Sequence, residues 1–263
     1  MIGHSQAYIA LKQSMQKQLD FVALVCHAVP VLNRAIAVYG GPSSPVPLGP
    51  PDHFTQRRLS APQLSSFSQE YQDDLARTLI LSSFSYFEAY VRAVIKEFLE
   101  FQGGAEAYQT LALKRSRKSL GTLPDDLLIA KRKLQEANTK GKDEKYVKNA
   151  KVLVEAGFRF PSELFSTYGL SRLAAKVGKD KRQEMKAFEI PDILGEAFHW
   201  NTMLLARTRF DAIRKIRNDI AHGQRKKVTL KEAIQVGREL REWSTALDKH
   251  LCEHFFVMET YAP

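Results

Sequence analysis

The run IRNDIAHGQ, residues 216–224, places Arg217, Asn218 and His222 at the end of a strongly helical segment, with Gly223 next. An arginine can hold a phosphate through a planar fork of donors. A histidine titrates near neutral pH and can take or give a proton. An amide can orient either of them. Arg225, Lys226 and Lys227 follow at once and could hold the flanking backbone of a polyanion. Nothing else in the chain points so directly at chemistry.

Helix geometry sorts these residues. Phe210, Ile213, Ile216 and Ile220 mark a buried stripe, and Arg217 falls on or beside it. A charge there is costly unless it is paired. Asn218 and His222 are one helical turn apart and share a face. Arg217 and His222 are separated by about 140° on an ideal helix. They converge on one phosphate only if the helix unwinds near Gly223, or if a second copy supplies the partner. Glu88 shows a matching anomaly, an acid among Leu81, Phe84, Val91 and Ile95 on an apolar helical face. A Glu88–Arg217 contact would satisfy both charges. The competing arrangement pairs Glu88 with Arg92 one turn on. The bland reading of the motif makes Arg217 a structural ion-pair residue and His222 a helix C-terminal residue favoured by the macrodipole.

Helices must position this run. Residues 5–39 read as helix from Ile9, Leu11, Met15, Leu19, Val22 and Val25, with Pro30 kinking or dividing it. GGPSSPVPLGPPDH, residues 40–53, reads as an extended connection. Ser60 or Ser65 opens the next segment, about 62–101, which is the longest helical signal and is stopped by Gly103-Gly104. Residues 105–190 are basic, with about 12 basic against about 5 acidic residues between Lys114 and Lys151. Their KRSRKS run offers Lys114, Arg115, Arg117 and Lys118, either as a solvated face or as an RNA-backbone groove. Pro191 begins or precedes a segment carrying the motif, over 192–222. Thr229 then caps the last helix, with Glu232 completing a capping box. No segment alternates as a strand. The expected fold is all-α, with an N-terminal helical segment at 1–39, a connection at 40–61, and a main domain at 62–263 that carries 103–190 as an insertion.

Composition bounds the partners. A formal charge of +10 and a pI near 9.5 favour an anionic partner. Cys26 and Cys252 fit no metal spacing and suit a reducing compartment, so the chain reads as cytoplasmic. The start lacks a signal-peptide pattern. The apolar run from Phe21 to Leu32 is about 12 residues, short of the ~20 that span a bilayer, so no membrane partner is expected.

RNDIAH resembles the R-x4-H motif of the HEPN superfamily: arginine, a polar residue that is often asparagine, and a histidine. SSFSYFEAYVRAVIKEF, with Glu88, is similar to the superfamily's first core helix, and the helix after Thr229 is similar to its last. The likeness covers about 62–101 and 192–257 and is nearest to RiboL-PSP-HEPN or similar branches found in bacterial toxin and phage-defence systems. The resemblance implies an α-helical bundle forming a homodimer that brings two motifs into one cleft; the basic segment, which has no counterpart in it, reads from its own residues as a helical insertion between core helices. It implies a metal-independent endoribonuclease acting on RNA, with no cofactor, and a possible antitoxin or defence-system protein as partner. Arg217, Asn218 and His222 would be catalytic and Glu88 supporting. The competing function is a non-catalytic HEPN-like module that binds RNA or protein. A basic DNA-binding protein is a third reading, without a recognition-helix pattern to support it.

Overall fold

In the computed structural model, residues 3–39, 60–104, 125–139, 185–198, 200, 206–225 and 227–256 are described, with isolated positions between 107 and 155. Every regular element among them is helical. They are α1 (Gln6–Tyr39), α2 (Ala61–Gln69), α3 (Tyr71–Phe101), α4 (Asp125–Thr139), α5 (Ile190–Phe198), α6 (Arg207–Ala221) and α7 (Leu230–His254). A 3-10 turn, Ala187–Glu189, leads into α5. The all-α expectation holds.

Several boundaries differ from the sequence reading. Pro30 lies inside α1 and does not divide it. The expected single helix over 62–101 is two helices broken at Glu70, and Ser60 rather than Ser65 opens the first, with its N–H donating to Gln63 Oε1 at 3.0 Å. The segment 192–222 is not one helix either: its described residues carry α5 and α6. The apolar part of α1 is longer than the run from Phe21 to Leu32. Because the helix continues through Pro30, α1 is long and apolar enough, by length and composition, to cross a membrane.

The chain forms two compact units. One comprises Met1–Leu11, Phe87–Lys215 and Leu240–Pro263, and the other Lys12–Tyr86 and Ile216–Glu239. The expected segment 1–39 is therefore shared between them.

The first unit is built on an aromatic cluster. Phe98 meets Phe198 at 5.5 Å, Phe255 at 5.8 Å and Phe256 at 6.0 Å between ring centroids, all nearly edge-to-face. Such pairs add about 0.5–1.5 kcal/mol each beyond their area burial. The same unit anchors the start of α1. A helix begins with four N–H groups that lack intrahelical partners. Here the N–H groups of Gln6 and Ala7 each donate to the Glu97 carboxylate at 2.8 Å, and that of Tyr8 donates to Ser5 Oγ at 3.1 Å. The N–H of Ile9 donates to the Ser5 carbonyl at 3.2 Å. Ser5 in turn donates through its N–H and its hydroxyl to Oδ1 of Asp248, which is fully buried on α7.

The second unit packs Met15 and Val22 of α1, Leu75, Leu79, Ile80 and Phe84 of α3, Ile220 of α6, and Ala233 and Val236 of α7 into its interior. Gln18 reaches from α1 toward the Thr78 and Leu79 carbonyls, 3.4 Å from each. This unit carries the run 216–224.

Candidate functional site at the end of α6

Asp219 and Ile220 close the motif helix through their carbonyls. The N–H of Gly223 donates to the Ile220 carbonyl at 3.0 Å, and that of Gln224 donates to the Asp219 carbonyl at 2.8 Å. Gly223 has φ +71°. This is the Schellman arrangement, whose left-handed residue is best filled by glycine. The Arg225 N–H adds a second bond to the Asp219 carbonyl, at 3.1 Å. Gly103 and Gly104 close α3 by the same pattern, with φ +83° and +102°.

The helix stays wound up to this cap. The His222 N–H still donates to the Asn218 carbonyl at 2.9 Å. Asn218 and His222 therefore stand one turn apart on one face, as their spacing requires. His222 is exposed and Asn218 half-buried. Arg217 spans a ring and that amide. Its Cζ lies 5.3 Å from the centroid of the Phe84 ring, and its Nη1 donates to Asn218 Oδ1 at 3.0 Å. Phe84 is fully buried. A guanidinium over a ring face is attracted by the ring quadrupole, by about 0.5–2 kcal/mol depending on desolvation. The ring and the amide thus fix a guanidinium that would otherwise sweep many rotamers. Unwinding before Gly223, one of the two routes by which Arg217 and His222 could converge, does not occur.

Arg225 is held as well. Its Nη2 lies 2.8 and 2.9 Å from the two carboxylate oxygens of Glu232. Thr229 caps α7 as expected, its Oγ1 accepting from the Glu232 N–H at 3.1 Å, while the Glu232 carboxylate serves the ion pair with Arg225. Lys227 is exposed beside this pair. Lys226 and the run Lys114, Arg115, Arg117 and Lys118 lie outside the described residues.

Glu88 is half-buried on α3 and belongs to the first unit. Arg92, its alternative partner, donates through Nη2 to the Met185 carbonyl at 2.9 Å. Two participants escaped the sequence reading. Phe84 reads as one more apolar position of α3, and only the fold brings its face to Arg217. Glu232 reads as a cap residue, although an acid seven positions after Arg225 across a short loop was a usable signal for their pairing.

A family model for RiboL-PSP-HEPN matches residues 57–253, three quarters of the chain. The protein belongs to the RiboL-PSP-HEPN family. The match covers α2 through nearly all of α7 and leaves α1 outside. Comparison with curated proteins and with solved structures returns no match. HEPN domains are generally ribonucleases or RNA-binding modules. The RiboL-PSP-HEPN match includes Arg217, Asn218, His222 and Glu88 within its span.

Proposed function

We propose that this HEPN protein is a metal-independent endoribonuclease that cleaves RNA by attack of a 2′-OH on the adjacent phosphorus, in a toxin–antitoxin or phage-defence setting. The observation that carries the reading is the pairing of a fixed guanidinium with an exposed imidazole one turn beyond its partner amide. Arg217 is set by Phe84 and Asn218, and His222 stands at the capped end of the same helix.

The chemistry needs little more. RNA carries its own nucleophile, so the protein must move protons and stabilise charge on the phosphorane. A histidine takes the 2′-OH proton as the 2′-oxygen bonds to phosphorus. The bond from phosphorus to the 5′-oxygen breaks, and a second proton donor supplies the leaving oxygen. The products are a 2′,3′-cyclic phosphate and a free 5′-OH. The guanidinium stabilises the non-bridging oxygens, and no cofactor enters. Arg217 and His222 leave a wound helix about 140° apart, so a homodimer, with one His222 as base and the other as acid, would complete the site. Lys227 and the neighbouring Arg225 and Lys226, with the basic segment at Lys114, Arg115, Arg117 and Lys118, would hold the flanking backbone. Glu88 would support Arg217.

The test is incubation of purified protein with tRNA or total RNA in EDTA. We expect cleavage with cyclic-phosphate ends, reduced on the order of 10²–10⁴-fold in His222→Ala. Cleavage undiminished in that variant rejects the assigned role. For Glu88, a double-mutant cycle of Glu88→Gln and Arg217→Lys on cleavage rate should give a coupling of about 0.5–3 kcal/mol. Strict additivity removes Glu88 from the site.

The second reading is a non-catalytic module that binds RNA or a protein partner such as an antitoxin or defence component. The ion pair of Arg225 with Glu232 favours the protein-binding form of this reading, because that pair withdraws one cation from phosphate contact. Salt-dependent RNA binding with no turnover over hours would select this reading.

A further inference from the structure

Beyond Asp20, α1 carries two apolar faces. Val22 is buried, and Val25, Cys26, Val29, Leu32 and Ile36 are half-buried against the rest of the chain. A second row remains outside: Phe21 is 52% exposed, Leu24 65%, Val31 69% and Val38 66%, with Ala28 also exposed and Ala35 between them. Phe21, Leu24, Ala28, Val31, Ala35 and Val38 advance by alternating steps of three and four. That is the heptad spacing of a coiled-coil seam. No charged or polar side chain interrupts the row. Asp20 borders the row at its start, and Arg34 is the one charged side chain between Phe21 and Val38, with His27 and Asn33 as polar neighbours.

We infer that this row is an interface for a second copy of the same chain, packed antiparallel. Three observations select that occupant. The first is complementarity of size. Antiparallel pairing of the row with itself sets Phe21 against Val38, Leu24 against Ala35 and Ala28 against Val31. Each layer after the first joins a larger side chain to alanine, as knobs-into-holes packing between helices requires. The second is charge. Antiparallel pairing separates the two copies of Arg34 by about 13 Å along the axis at 1.5 Å per residue, whereas parallel pairing sets them level. The third is area. The four large side chains leave on the order of 400 Å² uncovered per helix, about 800 Å² over two copies. With the alanines and the flanks this approaches the ~1,000 Å² expected of a specific interface. A lipid surface is the competing occupant, because Ala23, Pro30 and Ala37 are exposed as well and α1 is apolar enough over its length for a membrane. The matching of large side chains with alanine and the placing of Arg34 favour the second copy. The interface is independent of the nuclease reading, and α1 lies outside the family match.

Site-specific cross-linking of the full chain tests it. On a Cys26→Ser background, Leu24→Cys with Ala35→Cys should give a disulfide-linked dimer on mild oxidation at tens of micromolar protein, while Leu24→Cys alone should not. The reporting positions are on the seam, so a dimer formed elsewhere leaves the result unchanged. In sedimentation equilibrium, Leu24→Asp with Val31→Asp should weaken self-association at least tenfold, with circular dichroism unchanged. Absence of the cross-link overturns the interface. Cross-linking by Leu24→Cys alone overturns the antiparallel arrangement. Flotation of the monomer with phosphatidylcholine–phosphatidylglycerol vesicles, abolished by the aspartate variant, would overturn it in favour of a membrane surface.

Discussion

The Arg217 guanidinium lies over the Phe84 ring, 5.3 Å from its centroid, and the two residues come from helices far apart in sequence. This explains how an arginine next to a buried stripe is tolerated. Its stem covers apolar surface, its charge meets a ring face, and one donor meets the adjacent amide. Such an arginine is positioned before any ligand arrives, which lowers the ordering cost of binding.

Phe84→Leu tests that relationship. Leucine keeps an apolar side chain in the core but removes the ring face. Loss of about 1 kcal/mol of cation–π attraction should weaken RNA binding roughly fivefold at fixed salt. The core change itself should cost about 1–1.5 kcal/mol of stability, read by urea unfolding. Filter binding that shows unchanged affinity in a folded variant would mean the ring does not hold the arginine in its working position.

Much of the site was legible in the sequence because its determinants are local. Helical spacing alone sets Asn218 and His222 on one face, and a glycine after a helical pattern marks its end. Thr229 before a periodic segment marks the next start. What was not legible depends on tertiary packing. Leu81, Phe84 and Glu88 share one apolar stripe, and periodicity cannot say which of them meets Arg217. Glu70 interrupts an apolar pattern that reads as continuous, and Pro30 fails to interrupt one. A proline can be carried inside a helix at a local cost of about 3 kcal/mol when the surrounding segment supports it. The Arg225–Glu232 pair spans a loop, beyond the reach of helix-face rules.

Gly223→Ala isolates the cap. No atom lies within 4 Å of where the new Cβ would stand, so the cost is confined to the backbone. Holding alanine at φ +71° should destabilise the protein by about 1–2 kcal/mol, with Gly223→Asn costing less. Urea midpoints of the two variants read this directly. If alanine is neutral, the end of α6 rearranges freely and the placing of His222 by this cap is refuted.

The two thiols should behave differently. Burial, with the Asp248 carboxylate adding to it, pushes the Cys252 thiol up to about 11. Thiolate is the reactive form, so Cys252 should resist a disulfide reagent at pH 8 in the folded protein, while half-buried Cys26 reacts first. Because the folded value lies above the ordinary 9.0, this thiol's share of stability is fully present below pH 9 and is lost as pH rises toward 11. A Cys252→Ala variant should lose that part of the alkaline dependence. Two equally fast thiols at pH 8 would contradict the burial.

Asp248 should be among the most costly residues to truncate. It is fully buried, and its two oxygens serve different partners: Oδ1 takes both donors of Ser5, and Oδ2 lies 2.8 Å from Nδ1 of His4. Ser5 caps α1 through its own hydroxyl, so Asp248 holds the residue that starts the helix. Asp248→Ala leaves two buried donors of Ser5 without their acceptor, at about 1–3 kcal/mol each. Asp248→Asn keeps one acceptor oxygen and should cost less than half as much. Glu97→Gln, at the exposed side of the same helix start, removes an anion from two N–H groups and should cost about 1 kcal/mol. The order Asp248→Ala, then Asp248→Asn, then Glu97→Gln, in free energy of unfolding by urea, is the expected result. Equal and small losses in all three would mean that the first turn of α1 is not held by this network.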